Sequence, residues 1–214
     1  MFEYQWRRFN VSKVNEFRRM NINYRNRKKL YNTNFSLLSS NCNGAFILHD
    51  LGLRFNSPFV NLWMNPGDYI KYLEKIEYYK ELPLFFKQEN TEYPIGMLGD
   101  LIIYFQHYKS KNEAKAKWEE RTKRINEKNL FVLMTDRDGC TYEDLQKFDS
   151  LCKYRNKIVF THRKYPEFKS AFYIPGFEKL NYVGECWKYK NRISGKKIYD
   201  IFPYVDWFNG KQIV

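Results

Sequence analysis

Residues 129–162 read NLFVLMTDRDGCTYEDLQKFDSLCKYRNKIVFTH, and this stretch decides the fold. NLFVLM (129–134) is a strand by length and composition. TDRDG (135–139) is the loop at its carboxyl end. Thr141 opens T-x-x-D, a capping-box-like helix start with Asp in the place of Glu or Gln, and YEDLQKFDSL continues as helix. NKIVFTH (156–162) is a further strand. Such alternation of strand, helix and strand belongs to a parallel sheet.

The pattern extends in both directions. NFSLLSS (34–40) reads as a strand, NCNG (41–44) as a loop and AFILHDLGL (45–53) as a helix with Gly52 at its carboxyl cap. Ser57-Pro58 breaks the pattern before a strand at FVNLWM (59–64). NPGD (65–68) turns into a helix, DYIKYLEKIEYY (68–79). LPLFFK (82–87) and LGDLIIYFQHY (98–108) are strand-like. KSKNEAKAKWEERTKRINEK (109–128) is a charged outer helix with a narrow apolar face at Ala114, Trp118 and Ile125. After His162, residues 164–176 are irregular or short-stranded, and FPYVDWFNG is a short helix ending at Gly210. These readings predict an α/β fold: a three-layer α/β/α sandwich with a mostly parallel sheet in residues 31–214, preceded by a basic helical segment, 1–30.

The 214 residues include 37 Lys and Arg against 24 Asp and Glu, a net charge of +13, with an aromatic share of 19%. That aromatic content speaks against disorder. No apolar run has the length of a bilayer span, and the start has no apolar leader core. A cytoplasmic protein, peripheral to the inner face of the membrane, is expected. Cys42, Cys140, Cys152 and Cys186 have no CxxC or zinc-like spacing, so free thiols are expected.

About half of the excess charge sits in residues 1–30, on Arg7, Arg8, Lys13, Arg18, Arg19, Arg25, Arg27, Lys28 and Lys29, against Glu3 and Glu16. Val14, Phe17 and Met20/Asn21 fall near helical spacing there. Three readings stand: a solvated basic helix packing one face on the domain, contact with an anionic lipid surface, or nucleic-acid binding. The last is weakest, because no recognised nucleic-acid reader is present.

Ligands of open parallel sheets bind outside the carboxyl ends of the strands. Asn41, Cys42, Asn43 and Gly44 follow the first strand, a strand–loop–helix turn suited to an anion. Thr135, Asp136, Arg137 and Asp138 follow the strand at 129–134. Asp136 and Asp138 are placed to share a Mg or Mn ion, and Arg137 to meet phosphate. His162 and Arg163 follow the strand at 156–161. Cys42 at a helix start is a candidate nucleophile, with His162 the better-placed base. His49, His107 and the tryptophans Trp118, Trp187 and Trp207 read as structural, His49 as a hydrogen-bonded core residue.

The blocks SSNCNGAFILHDLGLRFNSPFVNLWM, YPIGMLGDLIIYFQHYKSKNEAKAKWEERTKRI, NLFVLMTDRDGCTYEDLQKFDSL and KIVFTHRKYPEFKSAFYI resemble the domain of unknown function 1919 family over roughly residues 34–210. Members of that family are often described as bacterial exopolysaccharide biosynthesis proteins. The family pattern Asn-Cys-Trp-Gly-Gly stands here as Asn41-Cys42-Asn43-Gly44-Ala45. The resemblance implies a three-layer α/β/α fold and a link to surface polysaccharide assembly.

The expected function is a transferase acting on a sugar nucleotide or lipid-linked glycan. His162, Asp136, Asp138 and Cys42 are the catalytic candidates. Asn41, Asn43, Gly44, Thr135, Arg137 and Arg163 are the substrate-binding candidates. The alternatives are a Cys42-dependent acyltransferase acting on a glycan hydroxyl, and a non-catalytic partner in polysaccharide assembly.

Overall fold

The computed structural model describes residues 2–88 and 91–213, with residues 2–12 as backbone only. Its centre is a four-stranded, wholly parallel sheet. The strands are β1 (Ser36–Ser39), β5 (Leu130–Thr135), β6 (Asn156–Thr161) and β7 (Ala171–Tyr173), in the order β1-β5-β6-β7. A three-stranded antiparallel sheet is built from β2 (Leu84–Phe86), β3 (Ile95–Leu98) and β4 (Leu101–Tyr104). The helices are α1 (Phe2–Lys29), α2 (Asn43–Leu51), α3 (Pro66–Glu74), α4 (Ile76–Tyr79), α5 (Lys111–Thr122), α6 (Tyr142–Asp149) and α7 (Tyr204–Phe208). A 3₁₀ turn, Ile198–Ile201, precedes α7.

Strand periodicity divides the core. Leu38, Val132, Met134 and Val159 face α3, α5, α6 and the antiparallel sheet. Their sequence neighbours Leu37, Phe131, Leu133, Ile158 and Phe160 face α2, α7 and the 3₁₀ turn. The side chains of alternate residues leave opposite faces of a strand, so these near-continuous apolar runs are covered on both sides. Thr141 and Asp144 complete a reciprocal capping box on α6, and Gly52 ends α2 in the left-handed conformation at φ 68°.

Several elements differ from the sequence expectation. FVNLWM is buried at Phe59, Val60, Leu62 and Met64 but is not a strand. Asn61 has a left-handed φ of 61°, which breaks the extended run. The Met64 N–H donates to Ser40 O at the end of β1, and the Trp63 N–H donates to Tyr104 O of β4, so the segment bridges the two sheets. Residues 98–108 do not form one strand. Gly99, at φ 62°, opens a tight turn that folds β4 back on β3. The helix expected at 68–79 breaks at Lys75, and the one expected at 109–128 spans Lys111–Thr122.

The basic segment forms a helix, α1, that packs one face on the domain as the first reading expects, but that face is not the one carrying Val14, Phe17 and Met20. The helix docks by its polar face. Asn15 and Arg19 are buried, Arg19 bonds Asp50 at 2.6 Å and Asp200 at 2.5 Å, and Asn26 donates to Tyr204 Oη at 2.7 Å. Phe17, Met20 and Tyr24 face outward. Polar side chains turn inward because the domain presents two buried carboxylates there. A buried guanidinium is tolerated only when such partners surround it. The charges of Arg7 and Arg8 lie outside the described side chains. Among the described residues, no helix is long and apolar enough to cross a membrane.

Candidate functional site

Strand register brings three loops to one rim. Ser39 pairs with Leu133, and Thr135 with Phe160. Continuing these pairings sets Asn41 beside Thr135, and Asp136 beside Thr161 and His162. The Asn41 amide donates to Thr135 Oγ1 at 2.7 Å and to Asp138 Oδ2 at 3.4 Å. The Asp136 N–H donates to Phe160 O at 3.0 Å.

Asp136 organises the rim. Its Oδ2 accepts from the backbone N–H of His162 at 2.8 Å and lies 2.6 Å from ring atom Nδ1. Its Oδ1 accepts from the backbone N–H of Val183 at 2.6 Å. A carboxylate offers only acceptors, so the network assigns the ring proton to Nδ1 and leaves Nε2 with a lone pair in the neutral ring. The arrangement resembles the orienting half of a catalytic triad, in which a buried carboxylate fixes the imidazole's tautomer and direction.

His162 lines a cavity of about 200 Å³ together with Asp136, Thr141, Tyr142, Tyr165 and Asn181. That volume is below the roughly 300–1,000 Å³ typical of pockets for drug-sized ligands, so it suits one moiety of a larger molecule. The Tyr142 and Tyr165 rings stand 6.2 Å apart at 47°. Arg163 is exposed at the rim and donates from Nε to Tyr165 Oη at 2.8 Å. On the other side of β5, Arg137 lies 6.0 Å from the ring centroids of both Tyr182 and Trp187. Larger concavities exist elsewhere: about 470 Å³ beside Lys80 and Trp118, about 550 Å³ beside Tyr78 and Asp100, about 270 Å³ beside Asn26 and Tyr204, and about 250 Å³ beside Asn156 and Trp207. The first two lie around α4, away from the carboxyl rim of the parallel sheet, and none of the four is lined by a histidine or a cysteine.

The remaining candidates divide by burial. Gly44 is a packing residue rather than a ligand cradle: a Cβ there would come within 2.6 Å of Ser39 Cβ and 3.0 Å of Leu37 Cδ2. Asn43 is fully buried, and its amide donates to Asn41. Thr135 is buried beneath Asn41. Asn41 itself accepts from the Asn43 N–H and side chain while donating to Thr135 and Asp138. These four form the floor of the rim and present little surface to a ligand. His162, Arg163, Arg137, Asp138 and Cys42 keep some exposure.

Asp138 adopts φ 62° and accepts from Arg137 Nε at 3.2 Å. Asp136 is engaged by three donors. The two carboxylates are therefore committed to protein partners, which does not fit a shared hard-cation site. Among the described residues, no group of three or more His, Cys, Asp or Glu is arranged to hold a metal ion.

Cys42 Sγ lies 3.9 Å from Leu62 O. Burial pushes its thiol up, against the pull of nearby Arg137. It follows β1, whereas His162 follows β6, two interstrand spacings or about 10 Å away across β5. The hydrogen bonds of Cys42 and His162 go to different partners, Leu62 O and Asp136.

His49, expected in the core, has an 80% exposed side chain, and its neighbour Asp50 is the buried one. Trp118 and Trp207 are buried packing residues, as expected, while Trp187 is half-buried and stacks on Phe46. Sequence reasoning missed Tyr142, Tyr165, Asn181 and Val183. Tyr142, first residue of the capped helix, and Tyr165, three residues past His162, carried a positional signal. Asn181 and Val183 carried none.

A family model described as Domain of unknown function (DUF1919) matches residues 13–209. The chain belongs to the DUF1919 family. A relative from Haemophilus influenzae, described as an uncharacterized protein, is 52% identical over 198 residues, covering 92% of this chain and 95% of its own length. DUF1919 membership thus extends beyond the α/β core into α1, as far as Lys13.

Proposed function

We propose that this DUF1919 protein is a transferase of surface-polysaccharide assembly that moves a glycosyl group from a diphosphate-activated donor, a sugar nucleotide or a lipid-linked glycan, to a hydroxyl acceptor. The observation that carries the reading is the Asp136–His162 pair at the carboxyl rim of the parallel sheet, bonded at 2.6 Å and facing a polar, aromatic-walled cavity.

In this reading His162 Nε2 takes the proton of the acceptor hydroxyl. The hydroxyl oxygen forms the new bond to the anomeric carbon. The bond from that carbon to the diphosphate oxygen breaks, and its electron pair leaves with the diphosphate. Arg163, at the cavity rim, supplies a planar cationic donor for the leaving group. Asp136 touches no reacting atom and acts by positioning His162. Tyr142 and Tyr165 offer ring faces and hydroxyls of the kind sugars use.

Calorimetric titration with a panel of sugar nucleotides, with and without manganese, tests the reading. Heat with one donor, weakened by Arg163→Ala, is expected. Absence of heat and of any thermal shift across the panel would favour a non-catalytic assembly partner.

A further inference from the structure

We infer that the outward face of α1 seats the protein on an anionic lipid surface. The inference stands apart from the transferase reading and rests on which way the helix faces. At 3.6 residues per turn, Lys13, Phe17, Tyr24 and Lys28 fall within about 60° of one another, with Met20 about 20° further round. This ridge lies opposite the side that carries Asn15, Arg19 and Asn26, which the domain covers. Phe17 is 67% exposed, Met20 69% and Tyr24 58%. Three large side chains on one helix ridge are thus held in solvent because the polar side of the helix is the one that docks.

The charge around the ridge chooses the occupant. From Lys13 to Tyr31 there are seven basic residues and one acidic residue, Glu16. Of the basic ones, Arg19 is buried; Arg18, Arg25 and Lys28 are exposed. The Lys28 ammonium lies 4.6 Å from the centroid of the Tyr24 ring. An apolar ridge with basic shoulders is the pattern of a helix that lies in a membrane interface, aromatic rings at headgroup depth and ammonium groups among lipid phosphates. A second copy of the same face would bring like charges together. A helix of 28 residues, about 42 Å long, lying flat would set one side of the domain against the bilayer.

The test uses the full chain and co-sedimentation with vesicles of phosphatidylglycerol and phosphatidylcholine in about equal parts, against phosphatidylcholine alone. Binding to the anionic vesicles only is expected, weakening as salt rises. A Phe17→Ser/Met20→Ser/Tyr24→Ser variant should bind at least about tenfold more weakly, with its melting temperature and circular dichroism preserved because the replaced rings do not pack on the domain. Arg25→Glu/Lys28→Glu gives an independent variant with the same expected loss. Three results would overturn the inference: no binding of the wild-type chain to anionic vesicles, undiminished binding by both variants, or a wild-type dimer in sedimentation velocity that the serine variant dissociates.

Discussion

Asp136 holds His162 at two points, the backbone N–H and ring Nδ1, through one carboxylate oxygen. The other oxygen of Asp136 anchors Val183. Ring direction and loop position therefore share one side chain. Replacing His162 with Gln removes the proton acceptor and should lower kcat by about 10²–10⁴-fold with the donor KM little changed. Wild-type turnover in His162→Gln would sink the assignment.

Asp136→Asn separates positioning from chemistry. The amide offers one acceptor oxygen and an NH₂ group to a site that holds three donors, so at least one N–H loses its partner. A loss of about 1–3 kcal/mol is expected, at about 2–4 °C of Tm per kcal/mol for a chain of this size. The remaining kcat should also fall with the donor KM little changed, because the imidazole loses the carboxylate that fixes its tautomer and direction. An unchanged melting curve together with an unchanged kcat would refute the coupling.

Gly44→Ala should destabilise by about 1–3 kcal/mol through overpacking, read as a lower urea midpoint at constant m. The added methyl meets Ser39 and Leu37 side chains, so donor affinity per folded molecule should stay at the wild-type value. A selective loss of donor affinity with stability intact would return Gly44 to the binding site.

The Asp50 carboxyl is held below the ordinary carboxylate range. Burial pushes it up, but hydrogen bonds from Lys197 and Tyr199 and the charge of Arg19 outweigh burial. A depressed folded-state value contributes stability above the unfolded value, about 3.9, that is lost as pH falls through the folded one. Asp50→Asn should cost about 3–5 kcal/mol at pH 7, since it leaves Arg19 short of a buried partner. The gap from wild type should narrow as pH falls below about 4. A gap that stays constant to pH 2 would contradict this account.

Burial pushes the thiols of Cys42, Cys140 and Cys186 up, Cys186 to about 12, while Cys152 is exposed. Iodoacetamide at neutral pH should modify Cys152 first and leave activity intact, and Cys42→Ser should retain turnover. Rapid inactivation traced to Cys42 by peptide mapping would instead support the acyl-transfer mechanism.

The parallel unit from Leu130 to Thr161 was legible because local signals agreed: apolar runs of strand length, the Thr141 capping box and an intervening amphipathic helix. Gly52 and Gly210 marked helix ends for the same local reason. Residues 59–64 were legible as buried but not as irregular, since hydrophobicity reports burial and not backbone pairing. The orientation of α1 was hidden, because Arg19 looks like a surface residue until Asp50 and Asp200 are brought to it. At the site, His162 and Asp136 could be read from their places after adjacent strands. The wall from Tyr165 to Val183 depends on an irregular course that no periodicity describes.

The inward face of α1 also meets partners far along the chain: Asn191, Asp200 and Tyr204, 176 to 181 positions downstream. During synthesis α1 can therefore dock only in part, on Asp50 of α2, until Asp200 and Tyr204 have been made. A chain cut before Asp200 would lose Asp200 and Tyr204 together and keep only the Asp50 anchor, so α1 should become more open to proteases while β1, β5 and β6 are already complete.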